Sequence, residues 1–259
     1  MTREKTHEQW VRRLLSLTDL TSLNDSDDAA AVRALSKLAR SAPVKPAAVC
    51  IWARLIPAAL ESLRGSGITV CAVANFPGGA AEPAVAAKET AAAVDAGATE
   101  VDVVFPYRAL LAGDAGVGLD LVRACRQACA DRALLKVILE TGQLGGADAI
   151  RHAAEIAVAG GANFLKTSTG KTQPAATPAA AGVLWDVIAA AAERGQAAGR
   201  GRAVGFKASG GIRSFDDAMI YLGGYEARFG EGSATADNFR IGASALFKEL
   251  LAALPASCE

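Results

Sequence analysis

Short apolar segments alternate with longer alanine-rich helical segments along this chain, and that alternation constrains the fold more than any other feature. Strand candidates are LTDLT (17–21), AAVCIW (47–52), TVCAVANF (69–76), TEVDVVF (99–105), LLKVILET (134–141), ANFLKTS (162–168), AVGFKAS (203–209) and FRIGA (239–243). Between them lie segments such as EPAVAAKETAAAVDAG and ADAIRHAAEIAVAGG, whose small side chains suit close helix-on-sheet packing. Strand–helix alternation argues for parallel βαβ units. Eight such units in 259 residues match a closed (β/α)8 TIM barrel, which takes roughly 250 residues. An extra N-terminal helix is expected ahead of the first strand. The first and eighth strands carry the weakest apolar pattern.

The helix ends are punctuated accordingly. Gly97 and Gly160–Gly161 follow alanine-rich helices, where glycine most easily takes the left-handed conformation that ends a helix. Pro83 and Pro178 open helical runs, where a missing N–H costs little. ERGQAAGRGR (193–202) reads as an exposed loop before the seventh strand. No linker divides the chain, so residues 1–259 are expected to form a single domain.

Composition excludes several function classes. Basic and acidic residues balance at 27 each, with no basic cluster to suggest nucleic acid. No run of 18 apolar residues suggests a membrane span. The charged start, MTREKTHEQWVRRLL, lacks a signal-peptide core, so a cytoplasmic location is expected. The cysteines are odd in number and loosely spaced. Cys125 and Cys129 lie one helical turn apart without a nearby histidine, so neither a zinc site nor a disulfide framework is expected. His7 and His152 sit in polar helical contexts that suit surface residues, and a histidine-based triad has little support.

Buried parallel strands normally read as continuous hydrophobic runs. Here they carry charges: Glu100 and Asp102, Lys136 and Glu140, Lys166 and Lys171, and Lys207. AVDAGATEVDVV and AVAGGANFLKTS are alike, so Asp102 and Lys166 each lie five residues past the glycine ending a helix. Their strands are the fourth and sixth, and alternate strands feed the same layer of a barrel interior. Lys207, on the seventh, could approach Lys166 from the side. Charges on several strands could form a structural ion-pair network or a reactive site. An amine attacks a carbonyl only when neutral, whereas lysine is ordinarily charged at pH 7. Burial and a neighbouring cation favour the neutral form. Such a cluster suits imine chemistry without a metal or cofactor, with a carboxylate moving protons. The pattern alone does not choose among Lys136, Lys166 and Lys207.

Two further segments suit an anion. Ala208-Ser209-Gly210-Gly211 follows the seventh strand and Gly242-Ala243-Ser244 the eighth, the usual phosphate position of this fold. Thr169-Gly170-Lys171 could add a charge near the same ligand.

These segments resemble deoxyribose-phosphate aldolases nearly end to end: LTDLTSLND (17–25), VCIW (49–52), VANFPGG (73–79), EVDVVFPYRALLAG (100–113), LLKVILETG (134–142), FLKTSTGK (164–171), GFKASGGIR (205–213) and RIGAS (240–244). EVDVVFPY and LKTSTGK are the most specific. The resemblance implies Lys166 as the Schiff-base lysine and Asp102 with Lys207 as a proton-relay pair. It implies that Thr169 and Lys171 line the sugar site, with Asp19 close by at the end of strand one. Gly170, Gly210, Gly211, Gly242 and Ser244 would hold the phosphate. The implied reaction cleaves 2-deoxy-D-ribose 5-phosphate reversibly to acetaldehyde and D-glyceraldehyde 3-phosphate, in deoxynucleoside breakdown. The implied partners are small phosphosugars and aldehydes, with a homodimer as an assembly many barrels allow. Three positions depart from the family's pattern. Ala245 replaces a second serine, Ala208-Ser209 replaces a Pro-Ala pair, and the C-terminal PASCE lacks a tyrosine. Rival readings are another Schiff-base aldolase or transaldolase of a phosphosugar, and a non-catalytic phosphosugar-binding barrel.

Overall fold

The computed structural model describes residues 5–195 and 203–255. Its eight strands pair in chain order and close: β1 (Thr18–Thr21), β2 (Ala48–Trp52), β3 (Thr69–Ala74), β4 (Glu100–Val104), β5 (Leu134–Ile138), β6 (Phe164–Lys166), β7 (Gly205–Ser209) and β8 (Phe239–Ala243). All pairs are parallel, including β8 with β1. Helices α1 (His7–Ser16), α2 (Ala29–Ser41), α3 (Ile56–Leu63), α4 (Pro83–Asp95), α5 (Tyr107–Leu111), α6 (Gly116–Cys129), α7 (Ala147–Ala159), α8 (Pro178–Glu193), α9 (Phe215–Phe229) and α10 (Ala245–Ala252) connect and surround them. This is the expected TIM barrel with an additional helix, α1, ahead of the first strand. Each strand candidate coincides with an observed strand; FRIGA matches β8 residue for residue and the other seven are trimmed by one to four residues.

Local chemistry accounts for the boundaries. Thr6 and Gln9 form a reciprocal capping box at the start of α1, and Ser214 and Asp217 do the same for α9. Pro83 and Pro178 occupy the first positions of α4 and α8. Gly97 and Gly161 adopt φ of +104° and +93° just beyond α4 and α7, whereas Gly160 remains right-handed at −79°. The side chains of His7 and His152 are exposed. Cys125 and Cys129 are buried in the core between α6 and the barrel. Of the expected loop at 193–202, residues 196–202 lie outside the described residues, as do 256–259 with Cys258. Among the described residues, no helix is long and apolar enough to cross a membrane.

Register decides what fills the barrel. The row of paired residues that leaves β1 at Asp19 through Ala48 and Thr69 returns to β1 eight positions lower. That is the stagger of a TIM barrel, so a level layer rises one residue per strand. Odd strands contribute Asp19, Cys71, Lys136 and Lys207 to one layer. Even strands contribute Ala48, Glu100, Phe164 and Arg240 below it, and Cys50, Asp102, Lys166 and Gly242 above it. Interiors of this fold are ordinarily filled by branched aliphatics, whereas seven of these twelve positions are ionisable acids or bases. The apolar core lies instead between strands and helices, where Leu20, Val49, Ile51, Val101, Leu135, Leu165 and Phe206 face outward and are buried.

Candidate functional site

The interior charges form one connected network. Asp102 is its hub. Its Oδ2 accepts from Lys166 Nζ and Lys207 Nζ, each at 2.8 Å, and its Oδ1 accepts from Lys136 Nζ at 2.9 Å. The two ammonium nitrogens on Oδ2 are therefore no more than twice 2.8 Å apart. Lys136 also meets Glu100 at 2.5 Å and Asp19 at 3.5 Å. Lys207 donates to Asp19 at 2.5 Å. Arg240 closes the network below, donating to Asp19 at 2.6 Å and Glu100 at 2.9 Å. Its guanidinium lies 5.7 Å from the centre of the Phe164 ring. All seven charged side chains are at most 5% exposed.

Such burial would be prohibitive for unpaired charges; pairing inverts it. Burial alone would raise Asp102, but Lys136, Lys166 and Lys207 hold it well below the usual carboxylate range. Asp19 is likewise driven down, against its burial, by Lys207, Arg240 and Lys136. Burial opposes the charged form of Lys207, yet Asp102 and Asp19 hold it above the ordinary lysine value. Lys136 is raised in the same way by Asp102, Cys71 and Glu100.

Cys50 and Cys71, paired across β2 and β3, stand beside this hub. The sulfurs and an Asp102 oxygen lie within 4.8 Å of one another, close enough to share a metal ion. The seat is already taken. Lys136 Nζ lies 3.2 Å from Cys71 Sγ and 2.9 Å from Asp102, so a cation there would have to displace an ammonium. Burial, then the Cys50 thiol and the Asp102 carboxylate, also push the Cys71 thiol up, away from the thiolate that a metal needs. The residues fit an organic reaction better than a metal.

Above the network a cavity of about 440 Å³ opens at the carboxyl ends of the strands, the face where this fold carries its active sites. Lys166 is the one network lysine among its lining residues. Gly242, fourth member of the top layer, also lines it, and leaves room that a side chain would fill. A Cβ at Gly242 would stand 3.0 Å from both Lys207 Cε and Ser209 Cβ. Thr169, Gly170, Lys171, Gly210, Gly211 and Ser244 line the cavity as well. Asp19 does not. It is the second residue of β1 rather than its end, and it grips Lys207 and Arg240 one layer down.

The strand-end turns suit an anion. Gly170, Gly210 and Gly211 adopt φ of +79°, +89° and +85°, and Gly170 and Gly210 pack so closely that a Cβ on Gly210 would fall 3.1 Å from Gly170 Cα. The Ser244 side chain caps no helical N–H and remains available to a ligand. Lys171 Nζ donates to the Leu23 carbonyl at 2.7 Å, and Lys171 N donates to Thr169 Oγ1. The lining contains Lys166, Lys171, Arg213 and Lys248 and, among the described residues, no carboxylate, in a chain whose charges balance overall.

Sequence reasoning missed several members. Arg240 lies in a faintly patterned strand, and its charge inside FRIGA was the available signal. Glu100 and Lys136 stood out as strand charges without an assigned role. Glu140 is buried in a left-handed conformation at φ +54°; it accepts from Thr169 Oγ1 at 2.5 Å and from Thr169 N, so it orients a cavity residue. Cys50 and Cys71 looked like ordinary strand cysteines.

Known proteins match this arrangement. Residues 13–248 match the model of the DeoC/LacD family aldolases. A Toxoplasma gondii protein carrying the provisional name deoxyribose-phosphate aldolase is 27% identical, with 94% of this chain and 93% of that chain covered and a TM-score of 0.84. A Coccidioides immitis protein with the same provisional name is 29% identical over 92% and 86% of the two chains, with a TM-score of 0.78. Deoxyribose phosphate aldolase from Aeropyrum pernix, described as having a unique tetrameric structure, is 26% identical over 93% and 91%, with a TM-score of 0.75. With its match running through all eight strands and the cavity above them, the chain belongs to the DeoC/LacD family of aldolases.

Proposed function

We propose that this aldolase cleaves 2-deoxy-D-ribose 5-phosphate reversibly to acetaldehyde and D-glyceraldehyde 3-phosphate through a Schiff base on Lys166, serving deoxynucleoside breakdown. One observation carries the choice of nucleophile: three lysines surround Asp102, and Lys166 alone borders the cavity. Electrostatics agree. Lys136 has three carboxylate partners and Lys207 two, whereas Lys166 has Asp102 alone. Among the described residues, Lys166 is thus the network lysine with the fewest counter-charges.

The chemistry follows from the positions. The Lys166 amine adds to the C1 aldehyde, and loss of water leaves a protonated imine. Loss of the C3 hydroxyl proton breaks the C2–C3 bond, and its electron pair moves into the imine to give an enamine as glyceraldehyde 3-phosphate departs. A proton returned to C2, followed by hydrolysis, releases acetaldehyde and restores the amine. Asp102, on hydrogen-bond terms with both Lys166 and Lys207, is placed to relay protons through water. The cation-lined end of the cavity receives the phosphate.

Borohydride reduction in the presence of acetaldehyde tests the reading. An alkylated Lys166, identified by peptide mass, is expected. Alkylation of Lys136 or Lys207 instead would overturn the site, and no adduct at all would overturn the Schiff-base mechanism.

A further inference from the structure

We infer that Lys248 is a specificity-determining residue for the phosphate of the substrate, supplying by charge what the first turn of α10 lacks in hydroxyls. The inference rests on the reading of the cavity above. The turn between β8 and α10 offers Ser244, followed by Ala245, which has no polar side chain. Ser209, across the cavity, spends its hydroxyl on the Ser168 carbonyl at 2.5 Å. Side-chain hydroxyls at this end are therefore few.

The cations are not equivalent. Lys166 is bound to Asp102, and Lys171 donates to the Leu23 carbonyl. Arg213 lies beside Asp217, whose carboxylate accepts from the Arg213 backbone N–H at 2.9 Å. Among the described residues, no hydrogen bond or ion pair engages the exposed Lys248 side chain. It stands at the fourth residue of α10, and no acidic residue occupies that first turn. A cation near a helix N-terminus is disfavoured by the helix dipole. With a phosphate dianion at the same turn the interaction reverses sign, because both the helix end and the ammonium then face a negative charge. The placement is unfavourable without the ligand and favourable with it.

Lys248→Met and Lys248→Arg variants test this in two assays: KM for 2-deoxyribose 5-phosphate, and binding of inorganic phosphate by calorimetry. Lys248→Met is expected to raise both constants about tenfold, equivalent to about 1.4 kcal/mol, with kcat changed by less than about twofold. Lys248→Arg should recover most of the loss, and added salt should shrink the difference because the side chain is exposed. A Met variant within about twofold of wild type in both assays would overturn the inference. Failure to trap an imine on Lys166 would instead remove the proposed reaction, and phosphate calorimetry would still decide the role of Lys248.

Discussion

Replacing Asp102 with asparagine changes one atom at the centre of the buried network, and its consequences can be worked from the contacts. The carboxylate accepts from three ammonium groups at 2.8, 2.8 and 2.9 Å. An amide has one acceptor oxygen. Turned toward Lys166 and Lys207, that oxygen keeps both bonds in weakened, uncharged form, and the NH2 then confronts Lys136, which can only donate. Lys136 retains Glu100 and Asp19, so the loss is cushioned there. Breaking a buried ion pair by removing one partner costs about 3–5 kcal/mol. For a chain this long, that lowers the melting temperature by on the order of 10 °C. The pH dependence follows from sign. Asp102 is held well below its ordinary value in the folded protein, so its contribution is complete above a pH of about 4 and fades as pH falls toward the folded value. Protonated wild type then resembles the asparagine variant. Urea unfolding of both proteins at pH 7, 5 and 3 should show a full gap at pH 7 and 5 that narrows at pH 3. The variant should still trap some acetaldehyde on Lys166 while turnover stalls. A gap below about 1 kcal/mol at pH 7, or one that widens on acidification, would refute the electrostatic account, and intact turnover would refute the relay.

Gly210→Ala forces a Cβ to within 2.7 Å of Ala175 Cβ and 3.1 Å of Gly170 Cα at φ +89°, so the two anion-facing turns must part; KM for the phosphosugar should rise at least about tenfold. Gly211→Ala carries the backbone strain at φ +85° but meets open space, and an equal effect from both would refute the steric argument. Thr169→Val removes the hydroxyl donated to buried Glu140, at a cost of about 1–3 kcal/mol for a charged acceptor left short; thermal melts should show the loss, and Thr169→Ser should avoid it.

Much of this was legible in the chain because charge in a barrel strand violates a strong expectation. Asp102, Lys166 and Lys207 stood out for that reason. The repeat around Gly97 and Gly161 placed Asp102 and Lys166 in one layer, as the register shows. What the chain could not show is who meets whom across the barrel. Arg240 reaches Asp19 across 221 residues of sequence, and no local pattern encodes that. The family resemblance implied that Asp19 lies close to the sugar site at the end of strand one, but the stagger sets it one layer below the cavity, bound to Lys207 and Arg240. Glu140 stood out as a strand charge but its role did not, because the left-handed backbone that it adopts has no reliable signature outside glycine and asparagine.

The network also explains why three lysines and an arginine coexist with only three carboxylates. Taken as fully ionised, Lys136, Lys166, Lys207 and Arg240 exceed Asp19, Glu100 and Asp102 by one charge, although each side chain is at most 5% exposed. A purely structural interior would be expected to balance. Of these four cations, only Lys166 borders the cavity. Arg240 and Glu100 lie in the lowest layer, Asp19, Lys136 and Lys207 in the middle one, each pinned by its neighbours. The top layer holds Cys50, Asp102 and Lys166, and its fourth position is Gly242. A side chain there would crowd the stem of Lys207 and the Cβ of Ser209. Its absence leaves room for Lys207 to rise to Asp102 from below, while Lys166 borders the cavity above, where the proposed imine would form.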